Sequence, residues 1–104
     1  MSYASPSSHK NRAKEVARLT LAGKHDVLLA CREIADLKDQ LTDVPSEIMD
    51  TFIGVASEID GLPVGEERKH WSAEALMKKD EQLNNYRNRV KKIVETEMWN
   101  LMSF

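Results

Sequence analysis

The last third of the chain constrains the fold most. From Glu66 to Phe104 there is neither glycine nor proline. Across that stretch Leu76, Leu83, Tyr86, Val90, Ile93, Val94 and Trp99 or Leu101 recur at helical intervals. Ser72 is suited to the N-cap, because its hydroxyl can accept from a free amide of the first turn. The pattern predicts one helix from Ser72 to about Met102. At 1.5 Å per residue, about 30 residues span roughly 45 Å. In a chain of 104 residues, every other element must pack along such a rod. Its weakest stretch is Asn84-Asn85-Tyr86-Arg87-Asn88, since asparagine is a poor helix former.

The remainder divides into shorter helical patterns. Residues 1–7, rich in Ser and Pro, read as a flexible leader, and residues 8–104 as a single helical-bundle domain. Ser7 or Ser8 is expected to cap a first helix with Ala13, Val16, Ala17, Thr20 and Leu21 on its inner side. Gly23 either ends that helix or bends it. A second helix is expected from Lys24 to Leu41, with Val27, Ala30, Cys31, Ile34, Leu37 and Leu41 on one face. This is the cleanest amphipathic stripe in the chain. Thr42 or Asp43 should cap a third helix over Pro45–Ile59, with Ile48, Phe52, Val55, Ala56 and Ile59 inward. Asp60 to Trp71, with two glycines and a proline, reads as one long irregular connection, and connections of that length often carry function.

No sustained alternation of period two and no internal repeat is present. The fold class is therefore all-α: a four-helix up-down bundle with a long C-terminal helix, or a three-helix core if the first two helices merge. The last helix is about twice the length of the second and third. Its overhang must meet the first helix, bend back, or pair with a second subunit, so a homodimer is one expectation. Met98, Trp99, Met102 and Phe104 should close the end of the core, or else form an apolar patch for a partner.

Charge is unevenly distributed along the chain. The net charge is −2, but residues 26–67 hold eleven acidic and two basic residues, a balance of −9. The flanking segments are basic, at +4 for 1–25 and +3 for 68–104. Either the basic ends lie against the acidic middle within one bundle, or residues 26–67 offer a docking surface to a basic protein partner. An overall acidic chain argues against nucleic acid, although Arg87, Arg89, Lys91 and Lys92 beside Tyr86 form a basic stripe. The single cysteine, Cys31, fits a reducing compartment. With no signal-like N-terminus and no apolar run near 20 residues, the expected location is cytoplasmic, with no membrane span.

No catalytic signature is present. The one unusual cluster combines Glu58 and Asp60 at a helix end, where the dipole disfavours carboxylates, with Arg68, His70, Trp71 and the later Asp80. Asp80 lies between Leu76 and Leu83 and needs a partner. Arg68, or Arg32 from the second helix, is the expected counter-charge for Glu58 and Asp60. The cluster reads either as a structural network pinning the loop, or as a polar binding or acid–base site roofed by Trp71. No metal or cofactor is expected: His9, His25 and His70 lie in separate segments, and none has a second ligand at helical spacing. Cys31 lies on an apolar stripe and reads as core.

The motif Ser57-Glu58-x-Asp60-x-Leu62-Pro63-x-Gly65, followed by Arg68, Trp71 and Asp80, resembles a family of small all-helical bacterial proteins of unknown function. Gly23 and Ala30-Cys31-Arg32 are similar to that family's opening helices, so the likeness covers roughly residues 15–102. It implies a helical bacterial protein and brings no activity or site residues. Proteins of this size and kind sometimes occur as immunity partners of toxins. The expectation is therefore a non-enzymatic protein-interaction module of inhibitor or immunity type. The alternatives are a small enzyme or ligand binder using the Glu58/Asp60/Arg68/Asp80 cluster, or a nucleic-acid-associated protein.

Overall fold

A computed structural model describes residues 6–104, in which four helices pack together. They are α1 (Pro6–Leu21), α2 (Val27–Asp36), α3 (Ser46–Glu58) and α4 (Ala73–Met102). No strand occurs among the described residues. Successive helices lie side by side and α1 closes the ring against α4, as in an up-down bundle with a long C-terminal helix. α4 sets the long dimension, 43 Å. The radius of gyration, 14.3 Å, exceeds the ~13 Å typical of this chain length, in keeping with unequal extents of 43 × 34 × 23 Å.

The helix ends show how local chemistry sets these elements. Pro6 opens α1 with its φ already fixed for a first turn. The helix thus begins at Pro6, ahead of the expected caps at Ser7 or Ser8, while residues 1–5 of the expected leader lie outside the described residues. Gly23 does end α1. It takes φ +77°, and the amides of Gly23 and Lys24 turn back to the carbonyls of Thr20 and Leu19, a left-handed cap that favours glycine. The first two helices are thus separate.

α2 begins at Val27, later than expected, because Asp26 caps it: its Oδ2 accepts from the Leu29 amide at 3.0 Å. The helix also ends earlier, at Asp36. No basic residue occupies its last turn, so nothing there balances the negative end of the dipole. The chain tightens into a 3-10 turn over Lys38–Gln40, which still leaves Leu41 and Val44 buried. Neither Thr42 nor Asp43 caps α3. Pro45 precedes it with no side-chain cap, and Asp43 instead meets Lys10 of α1 in an ion pair. Ser72 caps α4 as expected, accepting from the Ala75 amide at 3.1 Å.

The core is built from Val16, Leu28, Ile34, Phe52, Ile59, Leu83, Val94, Met98 and Leu101 with their smaller neighbours. On α4 the buried positions are Leu83, Val94, Met98 and Leu101, a narrower stripe than the sequence pattern suggests. Ile93 and Trp99 fall outside it and are 58% and 62% exposed. The N-terminal part of α4 extends beyond the helices, and the 60–71 connection lies against it. Leu62, Leu83 and Tyr86 line a small hollow there. That connection is not wholly irregular, since Glu66–His70 forms a 3-10 helix.

Asp26 also joins two segments 61 residues apart in the sequence. Its Oδ1 accepts from Arg87 Nε at 2.7 Å, tying the start of α2 to the middle of α4. Asn84, in the stretch of α4 with the poorest helix formers, accepts from Arg87 Nη1 and so helps aim that guanidinium. Asp26→Ala removes cap and pair together and should cost about 1–2 kcal/mol, read as a fall in melting temperature of about 4–8 °C per kcal/mol. Asp26→Ser keeps the cap alone and should recover roughly half of the loss; recovery of all of it would show that the Arg87 pair contributes nothing.

Candidate functional site

Helix pairing converts the charge blocks of the sequence into sides of the molecule. α2 packs most extensively on α3, and α1 on α4, so the acidic segment stays together in space and the basic segments adjoin each other. Five of the acidic segment's carboxylates have partners. Asp26 meets Arg87, Asp43 meets Lys10, and Glu67 meets Arg32 at 2.8 Å. Glu33 lies 2.6 Å from His25 and 3.9 Å from Arg12, and Glu66 lies 3.7 Å from Lys69. The other six, Asp36, Asp39, Glu47, Asp50, Glu58 and Asp60, are exposed and form no ion pair among the described residues. All six lie on α2, α3 or the turns that follow them.

The polar cluster singled out from the sequence separates into a clamp and an exposed pair. Arg68 grips Asp80 through two bonds, Nη1 to Oδ1 at 2.6 Å and Nη2 to Oδ2 at 3.0 Å. The same Nη1 also donates to the Pro63 carbonyl at 3.1 Å. One guanidinium thus ties both ends of the connection to α4, a geometry for which arginine's planar fork is suited. The Arg68 hydrogen bond holds the Asp80 carboxyl below its ordinary value. Glu67 is also held low, first by its own backbone amide and then by Arg32. Gly65 lets the connection approach α2 closely: a Cβ there would lie 3.3 Å from Leu29 and 3.5 Å from Arg32. Neither arginine neutralises Glu58 or Asp60, contrary to expectation. Both arginines are engaged by nearer carboxylates, and Glu58 and Asp60 face solvent, where a charge needs no partner. His70 is exposed and Trp71 half-buried.

The hollows of the surface separate in the same way. One, an open groove of about 520 Å³, runs between α2 and α3. Ala35, Ile53 and Ala56 form its apolar part, and Arg32, Asp36, Lys38, Ser57 and Asp60 its edges. Ala56, expected in the core, is therefore half-buried in this groove. A second hollow, about 330 Å³, lies where the α1–α2 turn meets α4, and there Asp26, Arg87 and His25 already have partners. A third, about 240 Å³ and almost wholly apolar, is lined by Arg18, Leu21, Ala22, Trp99 and Met102. Of the aromatic and methionine residues expected to close the core's end, Met98 does so. Trp99 and Phe104 remain 62% and 44% exposed, because the burying stripe of α4 passes through 94, 98 and 101.

Compared with protein-family models, with curated proteins and with solved structures, the chain matches none. The arrangement of these surfaces is what bears on function. Among the described residues no three His, Cys, Asp or Glu side chains come together as a metal cage would require. Among those residues, too, no helix is long and apolar enough to cross a membrane. The Asp36, Asp39, Glu47 and Asp50 carboxylates and the groove floor were not distinguishable in the sequence. The only signal was the bulk acidity of residues 26–67, which does not say which carboxylates are free.

Cys31 is fully buried, and burial, aided by the nearby Asp26 charge, pushes its thiol up to about 12. A thiol held that high is not a nucleophile at neutral pH. In the folded protein at pH 8, Cys31 should resist alkylation by iodoacetamide and react fully in denaturant; comparable rates in the two states would contradict the packing. For the clamp, Asp80→Ala should speed amide hydrogen exchange across residues 62–71 while α2 and α3 keep their protection. The sign with pH follows from the lowered carboxyl. The clamp's contribution is complete above the unfolded value of 3.8 and is lost as pH falls through the lower folded value. Loop exchange corrected for its intrinsic rate should therefore rise in wild type only below about pH 4.

Proposed function

We propose that this chain is a non-enzymatic protein-interaction module of inhibitor or immunity type, which holds a basic protein against the side formed by α2 and α3. The observation that carries this reading is the set of six exposed carboxylates, Asp36, Asp39, Glu47, Asp50, Glu58 and Asp60, left without ion pairs among the described residues. Asp80, Glu67 and Asp26 meet Arg68, Arg32 and Arg87, and the unpaired Glu74, Glu81, Glu95 and Glu97 of α4 share that helix with six basic residues. Concentrated uncompensated charge on one side raises the rate of encounter with an oppositely charged partner and repels wrong ones. The likeness of the Ser57–Trp71 motif to small helical bacterial proteins fits a module of this size and brings no activity with it.

A small enzyme built on the Glu58/Asp60/Arg68/Asp80 cluster has less support, because Arg68 and Asp80 satisfy each other while Glu58 and Asp60 stand apart in solvent. A nucleic-acid role is weakened in the same way. Of the basic stripe on α4, Arg87 is held by Asp26 and Arg89 stacks over Tyr86 at 5.4 Å. A homodimer would have the surface of the exposed Trp99 and the half-buried Met102 to use.

The test is capture from an extract of the native host, comparing wild type with a variant in which Asp36, Asp39, Glu47, Asp50, Glu58 and Asp60 become their amides. Wild type should retain a basic protein that the amide variant does not. About 0.5 M salt, where screening acts within roughly 4 Å, should release it. Equal retention by both proteins, or no basic protein retained by wild type, would overturn the proposal.

A further inference from the structure

The α2–α3 groove has features that an acidic surface alone lacks. Its floor is apolar and shallow-walled, because two of its three apolar residues, Ala35 and Ala56, are alanines flanking Ile53. Small residues between two helices let a third helix approach to ordinary interhelical distance. Asp36 stands on the α2 edge and Asp60 on the α3 edge, both without ion pairs among the described residues. Asp50, exposed and likewise unpaired, lies one turn before Ile53 on α3. Arg32, the basic residue at one end, is already bonded to Glu67, which leaves Lys38 as the one uncommitted positive charge along the groove.

An occupant must therefore present an apolar stripe to the floor and positive charge to both edges. Because no strand occurs among the described residues, recognition by adding a strand to a sheet edge has no counterpart in them. The groove lining holds no aromatic residue of the kind that grips an extended proline-rich segment, whereas a helix laid in a groove needs only apolar anchors at helical spacing. The α2 side of the groove, from Arg32 to Asp36, rises about 6 Å, a little over one turn of a bound helix, and Lys38 extends it into the following 3-10 turn.

We infer that the α2–α3 groove binds a basic amphipathic helix of a protein partner, its apolar side on Ala35, Ile53 and Ala56 and its cationic sides against Asp36 and Asp60. The inference rests on the acidic-side reading above and adds to it the site and the conformation of what is bound.

The probe is a synthetic helix of about 14 leucines and lysines, long enough for about four turns, set against a peptide of the same composition whose order destroys the apolar stripe. Binding is measured by calorimetry and located by backbone amide NMR shifts. The amphipathic peptide should shift Ala35, Asp36, Ile53, Ala56 and Ser57 and bind about tenfold more tightly than the scrambled one. Ala56→Gln, a neutral helix former that fills the floor, should reduce affinity by about tenfold. Ala35→Gln serves if the first variant fails to fold. Asp36→Asn with Asp60→Asn should weaken binding and flatten its salt dependence.

Equal affinity for the two peptides, with the floor variants unchanged and the amide variant weakened, would overturn the groove while leaving the acidic-side reading intact. Shifts centred on Leu21 and Trp99, or no binding at all, would also overturn it.

Discussion

A thirty-residue helix in a chain of this length must be covered by helices one-third to one-half as long, and most of the structure answers that requirement. α4 meets α1, α2 and α3 over its C-terminal two-thirds, where Leu83, Val94, Met98 and Leu101 are buried. Its first third has no helix beside it in the way the rest has. The 60–71 connection takes that place, with Pro63 buried and Arg68 bonded both to the Pro63 carbonyl and to Asp80. The long loop thus works as cover for the rod, and the polar residues that made it conspicuous are mostly the means of attachment.

The same requirement determines where charge ends up. Each ion pair that fastens a segment to its neighbour joins groups far apart in sequence: Lys10 to Asp43, Arg32 to Glu67, Asp26 to Arg87. Carboxylates at such junctions are neutralised. Those on the outward sides of α2 and α3 are not, since the basic residues of α1 and α4 lie on the other side of the bundle. An exposed ion pair adds little to stability, so leaving six carboxylates unpaired costs the fold little. It gives one side of the molecule a field that the other side lacks, and the groove between α2 and α3 opens within that field.

Much of the fold was legible because helices are local objects. Ser72 caps α4 and the apolar spacing of α2 predicts its buried face, both from interactions within a few residues. The errors were local too, where two signals competed. Asp26 outranks Lys24 as the start of α2 because only a side-chain acceptor satisfies the first-turn amides. On α4, Ile93 and Val94 are adjacent apolar residues, so the pattern alone could not say which faces inward. The choice of Val94 places Met98 inside and Trp99 outside.

The sequence by itself determined the all-α class, the long C-terminal helix with its Ser72 cap and the block of negative charge, because each follows from backbone chemistry or composition. The left-handed turn at Gly23 separates α1 from α2 where the sequence allowed either a stop or a bend. Only the tertiary structure decided which charges remain free. Arg32 could have met Glu58, Asp60 or Glu67, and the close approach of the loop at Gly65 selects Glu67. The groove is likewise invisible in one dimension: Ala35 and Ala56 read as ordinary helix residues until antiparallel packing of α2 on α3 sets them together. Distances between side chains 20 or more residues apart depend on how whole elements meet, and no local periodicity encodes that.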